Sequence, residues 1–440
     1  MRHLRLSIIC LLLVLANASA NTCAQEPPPL LGGLFSIPTD IYNPPAEIEE
    51  QTADAASVDQ VVVAARNAAA AGAVSDAFRL AVAVLEVDPN HVDARRLLGY
   101  RRIGDQWAGS VAEKMLADGN AWSPKFGWVK ATDLAKYNSG LRPSRGRWVS
   151  AEEDARQHAK ISGGWSVRTD HVLVTTNIDR AAAAELATRL EGLYQIWRQL
   201  FGEFAATPEE LQARLDGKEG AGFTPKPFRV VYYRDRAEYN AALRRIQPQI
   251  ESTLGIYFDS RKASHFFAGD EQDAGVIAHE AVHQFFYESA RKPTRHLAAT
   301  ANVWAVEGVA CYFETLTPVA PNTFTLGGSD AGRLQAARHR RTVDNFYVPL
   351  AELSALGMVE LQARPDLPKL YSQSAGLASF LIDGQNGRYR PAFRELLAAI
   401  YAGRDTPDTL AEAAGVSYEQ LDREYLEFMQ SLPVTAEISP

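Results

Sequence analysis

The sequence predicts an α+β protein, in which a domain with a small sheet and a mostly helical C-terminal subdomain follows a short helical, repeat-like region. Three observations support this prediction. An alanine-rich helical pattern occupies residues 57–104, β-branched runs follow residue 165, and apolar residues at helical spacing dominate from Asp270 to Leu432. The expected sheet therefore precedes the helical subdomain along the chain.

Length and composition exclude several classes of protein. At about 150 residues per domain, a chain of 440 residues suggests two or three domains. A hydrophobic content of 46% is typical of globular proteins and excludes wholesale disorder. The 45 Lys and Arg residues are outnumbered by 53 Asp and Glu residues. Because phosphate binding needs a concentrated basic surface, we expect no nucleic-acid partner.

Met1–Ala20 has the pattern of a secretory signal peptide. Arg2 and Arg5 give a positive start, residues 8–16 are apolar, and the small residues 18–20 offer a cleavage site. An apolar run this short cannot cross a bilayer core, which takes about 20 residues. We therefore expect an exported protein, either secreted or periplasmic, with no membrane span after signal removal.

Two alternatives remain open for this leader. It could stay uncleaved as a membrane anchor, or Cys23 could carry a lipid, although Asn21 and Thr22 stand where small residues are expected. Removal of the leader also removes Cys10, which leaves Cys23 and Cys311 as the remaining cysteines. One disulfide is the most they can form, so cysteine chemistry is not expected to be the function.

Residues 21–104 divide into a predicted Pro-rich linker, 21–56, and a helical segment, 57–104. The helical segment resembles the joint between two tetratricopeptide repeats, where residues 88–90, Asp-Pro-Asn, end one helix and begin the next. The resemblance covers about one repeat. We favour a helical adaptor packed on the following region over a free-standing peptide-binding array, and a protein partner is expected through this segment.

Residues 105–164 contain small repeated units, each marked by a tryptophan shortly after a glycine. Trp107, Trp128 and Trp148 are 21 and 20 residues apart, and each precedes a short helical pattern. We expect each tryptophan to be buried as the anchor of its unit. Because no cluster of polar residues accompanies these tryptophans, a structural role is favoured over ligand binding.

Residues 165–432 are predicted to form one α+β domain. Strands are expected at 171–176 and 228–233, and a hairpin at 254–268. A long helix follows the first strand, since apolar residues recur at helical spacing from Leu186 to Phe204.

The sharpest signal in the chain is His279-Glu280-Ala281-Val282-His283. On a helix, residues i and i+4 share a face, so both imidazoles can converge on one metal, while Glu280 can reach a metal-bound water. By chance, a chain of this composition would contain about 0.01 such patterns. Asp270 is placed to cap the expected helix.

A third ligand is available in Glu307, on a second predicted helix. Catalytic zinc takes three protein ligands and keeps one position for water. Gly308 and Ala310 are small and would let this helix approach the first closely. Glu314 is a rival third ligand on the same face, and Cys311 could also offer a thiolate, although a buried structural cysteine is favoured.

The two helices resemble those of the gluzincins, the clan of thermolysin and the zinc aminopeptidases, and look most like the secreted peptidase-MA-like branch. No His-x-x-Gly-x-x-His continuation follows His283, so the metzincin pattern is absent. The resemblance spans residues 165–432, and the two helices carry its specific motifs. The matching residues are His279, Glu280, His283, Trp304, Glu307, Gly308, Ala310 and Tyr312.

This resemblance implies a zincin-like domain that hydrolyses peptide bonds of a peptide or protein substrate. His279, His283 and Glu307 would hold Zn²⁺, and Glu280 would act as the general base. Tyr371 is the candidate for stabilising the oxyanion, against an ordinary core or surface tyrosine. The hairpin at 254–268 would present an edge strand to substrate backbone.

A competing hypothesis is a non-catalytic binding or scaffold protein of the cell envelope, with a vestigial gluzincin domain and a helical region that recruits a partner. Because all the chemically required residues are present, the sequence gives no sign that the site has lost its catalytic residues. His265 and His296, near the motif, are expected to be ordinary surface or loop residues.

Overall fold

A computed structural model of the chain describes residues 32–44, 55–218 and 226–433, and it contains both helices and strands. The predicted signal peptide, Cys23 and most of the predicted linker lie outside the described residues. Among the described residues, no helix combines the length and apolar character needed to cross a membrane. Contacts divide the described chain into an N-terminal unit, residues 36–273, and a C-terminal unit, residues 274–433 with residues 32–35.

The N-terminal unit contains nine described α-helices and eleven described strands. The helices are α1 (Ala55–Ala70), α2 (Val74–Val87), α3 (Val92–Leu97), α4 (Ser110–Ala117), α5 (Leu134–Asn138), α6 (Ala151–Gln157), α7 (Arg180–Ala205), α8 (Pro208–Leu215) and α9 (Arg236–Leu243). After β1 (Gly33–Ser36), which pairs in the C-terminal unit, the strands are β2 (Arg101–Ile103), β3 (Gln106–Ala108), β4 (Asn120–Ser123), β5 (Gly127–Lys130), β6 (Leu141–Ser144), β7 (Arg147–Ser150), β8 (Trp165–Arg168), β9 (Val172–Thr176), β10 (Phe228–Tyr233), β11 (Ile256–Phe258) and β12 (Ala263–Phe267).

A five-stranded mixed sheet, in the order β11-β12-β10-β9-β8, organises the second half of this unit. The middle strands β12, β10 and β9 run parallel, and the strands at both edges pair antiparallel. The sequence correctly predicts strand 228–233 and the 254–268 hairpin, which forms as β11 and β12. Strand β11 lies at one edge of the sheet, and its proposed role in substrate pairing stays a prediction.

The helical segment packs within the N-terminal unit. Helix α2 ends at Val87 and α3 begins at Val92, as the Asp-Pro-Asn pattern predicts. A Cβ on Gly202 of α7 would lie 2.9 Å from the backbone nitrogen of Ser75, so glycine lets α2 and α7 approach closely. The hydroxyl of Ser75 also accepts a hydrogen bond from the Gly202 backbone N–H at 2.8 Å. This packing favours the adaptor interpretation of the segment.

The tryptophan-marked repeats form three antiparallel hairpins, each followed by a short helix: β2–β3–α4, β4–β5–α5 and β6–β7–α6. The expectation that each tryptophan is buried is correct for Trp107, which is 8% exposed, but wrong for Trp128 and Trp148, which are half-buried. Units this small have one thin layer, so a large indole is covered only where a neighbouring element packs over it.

The C-terminal unit is mostly helical. Its helices are α10 (Ala274–Ser289), α11 (Val303–Phe313), α12 (Gly332–Thr342), α13 (Leu350–Ser354), α14 (Met358–Gln362), α15 (Leu367–Gly387), α16 (Arg390–Ala402), α17 (Thr409–Ala414) and α18 (Tyr418–Ser431). Strands β13 (Thr317–Ala320) and β14 (Thr323–Leu326) form a hairpin, and the sheet order is β1-β14-β13. The sequence analysis missed this hairpin, although the Pro321-Asn322 pair between two threonine-containing runs is a turn signal.

Two further expectations need correction. The described part of the predicted linker is packed, because Phe35, Ile37 and Tyr42 are 4%, 5% and 4% exposed. Its prolines restrict the backbone, but burial of the apolar side chains between them stabilises the folded state. Helix α10 begins at Ala274, four residues after Asp270, so Asp270 does not cap it.

Candidate metal centre

Helix α10 places His279 and His283 on one face, as the i, i+4 spacing requires. Their Nε2 atoms lie 3.1 Å apart, and the two ring planes are nearly perpendicular, at 79°. The side chains are 12% and 16% exposed. Two imidazole nitrogens are therefore brought together in a largely buried place.

Helix α11 carries the third donor, and buried polar contacts fix where this helix begins. Asn302 precedes it with a left-handed φ of 54°. Its side-chain amide donates to Asp405 Oδ2 at 3.0 Å and to the Thr406 carbonyl at 2.8 Å. The buried indole of Trp304 donates to Ser354 Oγ at 3.2 Å. These contacts hold the first turn of α11, one turn before Glu307.

The Glu307 carboxylate reaches both imidazoles. Its Oε2 lies 3.5 Å from His279 Nε2 and 3.8 Å from His283 Nε2. Around a tetrahedral ion with metal–ligand distances of about 2.0–2.2 Å, neighbouring ligand atoms are about 3.4 Å apart. The three observed separations, 3.1, 3.5 and 3.8 Å, bracket that value, and the two to the carboxylate exceed a good hydrogen bond. The donor triangle therefore fits one small divalent ion.

No family model matches this chain, and no curated protein matches it.

Glu280 and Tyr371 both lie beside the donor triangle. The charge of Glu280 acts to raise the pKa of both His279 and His283, although burial outweighs it at His283. The phenol of Tyr371, on α15, is close enough to Glu307 to lower the pKa of that carboxyl. Burial raises the pKa of Tyr371 above its usual value, and the Glu307 charge raises it further, so the phenol stays protonated as a donor. The structure thus groups all five predicted site residues.

Gly308 has a different role from the one expected. A Cβ at this position would lie 2.5 Å from the backbone carbonyl oxygen of Ser374. The small residue therefore permits close approach of α11 to α15, not of α11 to α10. Since α15 carries Tyr371, this contact helps bring the phenol to Glu307. Sequence spacing alone does not show which neighbour a helix face will meet.

Glu314 contacts the opposite side of the His279 ring. Its Oε1 lies 2.8 Å from His279 Nδ1, and Cys311 Sγ lies 4.0 Å from the same nitrogen. The other Glu314 oxygen accepts a 2.5 Å hydrogen bond from Arg333 Nε on α12. Glu314 is therefore not part of the donor triangle that Glu307 completes. His279, Cys311 and Glu314 form a second group of donors that shares only His279 with the first.

Electrostatics in the centre follow from burial and close pairing. Burial lowers the pKa of His279, but the close contacts with Cys311, Glu307 and Glu314 outweigh it and raise the pKa well above its ordinary value. At His283 burial prevails, and the pKa is lowered. Burial raises the pKa of Glu307, but His279 and His283 outweigh it and leave the pKa below its ordinary value. Glu307 is therefore held as a carboxylate, the form that binds a cation.

The sequence analysis missed Arg333 and Tyr401. Arg333 is 19 residues from Glu314 and on another helix, and no motif marks it. Tyr401 of α16 is buried close to Glu307. Burial raises the pKa of this tyrosine, and the charge of Glu307 raises it further. His265 was expected at the surface but is 5% exposed in β12, where Tyr233 hydroxyl lies 3.2 Å from its Nδ1. His296 is exposed in a loop, as expected.

Proposed function

We propose that the chain is an exported zinc-dependent peptidase of gluzincin type, with a zincin-like catalytic domain. The observation that carries this proposal is the convergence of His279 Nε2, His283 Nε2 and Glu307 Oε2 at separations suited to one tetrahedral ion. Two imidazoles and one carboxylate form a ligand set that catalytic zinc uses. Export is proposed from the leader at residues 1–20.

Zinc bound by these three side chains would supply a Lewis acid and lower the pKa of a bound water to about 7. Glu280, which is not needed as a ligand, accepts the proton of the attacking water and passes it to the leaving amine. Tyr371 donates a hydrogen bond to the oxygen that gains negative charge. The interaction of Tyr371 with Glu307 supports this role.

Glu280→Gln tests the proposal because glutamine keeps the shape of the side chain but cannot accept the proton. We expect hydrolysis of a casein-type substrate by the full zinc-loaded chain to fall about 10²–10⁴-fold. Zinc content should stay near one equivalent. Glu395→Gln, at an exposed position of α16, is the matched control and should retain parental activity.

Equal cleavage by Glu280→Gln and the parent would remove the support for the enzyme. A parent that binds zinc, cleaves nothing and captures a protein through residues 57–104 would instead favour the scaffold hypothesis.

A further inference from the structure

Helix α11 supplies carboxylates to both nitrogens of one imidazole. Glu307 and Glu314 are seven residues apart, which is about two helical turns, and therefore share a face. Glu307 lies 3.5 Å from Nε2 of His279, and Glu314 lies 2.8 Å from Nδ1 of the same ring. The ring is thus held between Oε2 of Glu307, the proposed ligand, and Oε1 of Glu314, which lies on the opposite side of the ring and cannot reach the same ion.

The contact at Nδ1 determines where the imidazole carries its proton. A carboxylate only accepts hydrogen bonds, so the 2.8 Å contact requires the hydrogen to be on Nδ1 of His279. Metal binding requires the neutral imidazole, and a neutral ring that keeps its hydrogen on Nδ1 has its lone pair on Nε2, the nitrogen that faces His283 and Glu307. The side of the ring that points to the donor triangle is therefore the side able to bind a metal.

Arg333 orients the Glu314 carboxylate. Its Nε donates to Glu314 Oε2 at 2.5 Å, while Oε1 faces His279. The two oxygens are thus engaged on different sides, and the carboxylate is only 20% exposed. Each link in the chain Arg333–Glu314–His279 restricts the rotation of the next group.

We infer that Glu314 is a positioning residue, held by Arg333, that fixes the orientation and tautomer of His279 for zinc binding. This inference rests on the proposed function. Loss of such a partner typically weakens metal affinity about 10–100-fold. Cys311 is farther from Nδ1, at 4.0 Å, and is not required in this arrangement.

The test measures zinc affinity of the full chain by competition with a chromophoric chelator. We expect Glu314→Ala to weaken zinc binding about 10–100-fold while the stoichiometry stays near one. Glu314→Gln should lose less, because an amide oxygen still accepts from Nδ1 but the charge and the fixed polarity are gone. Arg333→Ala should weaken binding less than Glu314→Ala, and Cys311→Ser should bind as the parent does.

Glu395→Ala is the matched control, and circular dichroism without added zinc checks that each variant is folded. Parental zinc affinity in a folded Glu314→Ala variant would overturn the inference and leave the proposed zinc site intact. Two equivalents in the parent, with one lost in both Glu314→Ala and Cys311→Ser, would show that Glu314 is itself a ligand and would also overturn it. A parent that binds no zinc would overturn the proposed function together with this inference.

Discussion

Two buried histidine–glutamate clusters, one in each unit, differ in how the carboxylate is satisfied. In the N-terminal unit, Glu191 Oε1 lies 2.5 Å from His171 Nδ1 and 3.5 Å from the Gln195 amide. Its Oε2 accepts from Thr169 hydroxyl at 2.6 Å and from the His171 backbone at 2.9 Å. Three close donors, at 2.5–2.9 Å, and the more distant Gln195 amide thus surround one carboxylate, which has about four acceptor positions.

Glu307 is arranged differently. Two imidazole nitrogens lie 3.5 and 3.8 Å from one of its oxygens, beyond good hydrogen-bond distance, although all three side chains are largely buried. A saturated carboxylate stabilises its surroundings and leaves no position for an ion. A carboxylate that converges with two imidazoles at tetrahedral spacing can coordinate one. The presence of a buried histidine–glutamate pair is therefore less informative than the distances within it.

The largest expected effect is loss of zinc from the proposed metal centre around Glu307. His283→Ala removes one of its three proposed ligands and should reduce zinc from about one equivalent to nearly none, with loss of the proposed peptidase activity. His171→Ala is the matched change in the saturated cluster and should leave zinc content unchanged. Metal analysis of dialysed protein compares the two. Unchanged stoichiometry in His283→Ala would reject the ligand assignment.

Tyr371→Phe removes the phenol hydroxyl while keeping the ring packed. If the hydroxyl stabilises the oxyanion, kcat should fall about 10²–10³-fold, with KM and zinc content little changed. Steady-state kinetics on a fluorogenic peptide library measure this split. Tyr389→Phe, in the same unit but bonded to Glu424, is a matched control. If Tyr371→Phe keeps the parental kcat, Tyr371 does not stabilise the oxyanion and is an ordinary packed tyrosine.

Asp40 extends the comparison to a partly buried acid without a histidine beside it. Burial raises its pKa to about 7, although Tyr100 and the backbone N–H groups of Asn43 and Tyr42 oppose the rise. Because the folded pKa is above the unfolded value, its stabilising contribution is full below about pH 4 and is lost as pH rises through 7.

In the parent, the free energy of unfolding should therefore fall by about 2.6 kcal/mol between pH 5 and pH 8, and Asp40→Asn should abolish that decrease. Urea denaturation of parent and variant at several pH values measures the difference in slope. Identical pH slopes would show that Asp40 keeps an ordinary pKa, and the electrostatic contrast with Glu307, whose pKa is lowered, would then weaken.

Local patterns in the sequence predicted local structure well. The strand at 228–233 and the helix break at 88–90 depend on neighbouring residues, and both are where the sequence places them. The exposure of Trp128 and Trp148 and the packing of residues 32–44 depend on distant elements, and both were mispredicted. The hairpin of β13 and β14 was missed because its short strands lie within a region dominated by helical spacing.

The sequence by itself determined that His279 and His283 share a helix face with Glu280 between them, since i, i+4 geometry is a property of one helix. It also supplied Glu307 as a candidate. Only the tertiary structure decided that Glu307 meets Nε2 while Glu314 meets Nδ1. That choice depends on the rotation and position of α11 relative to its neighbours. Residues far away in the chain fix both, through the contacts of Asn302 and the close approach of Gly308 to Ser374.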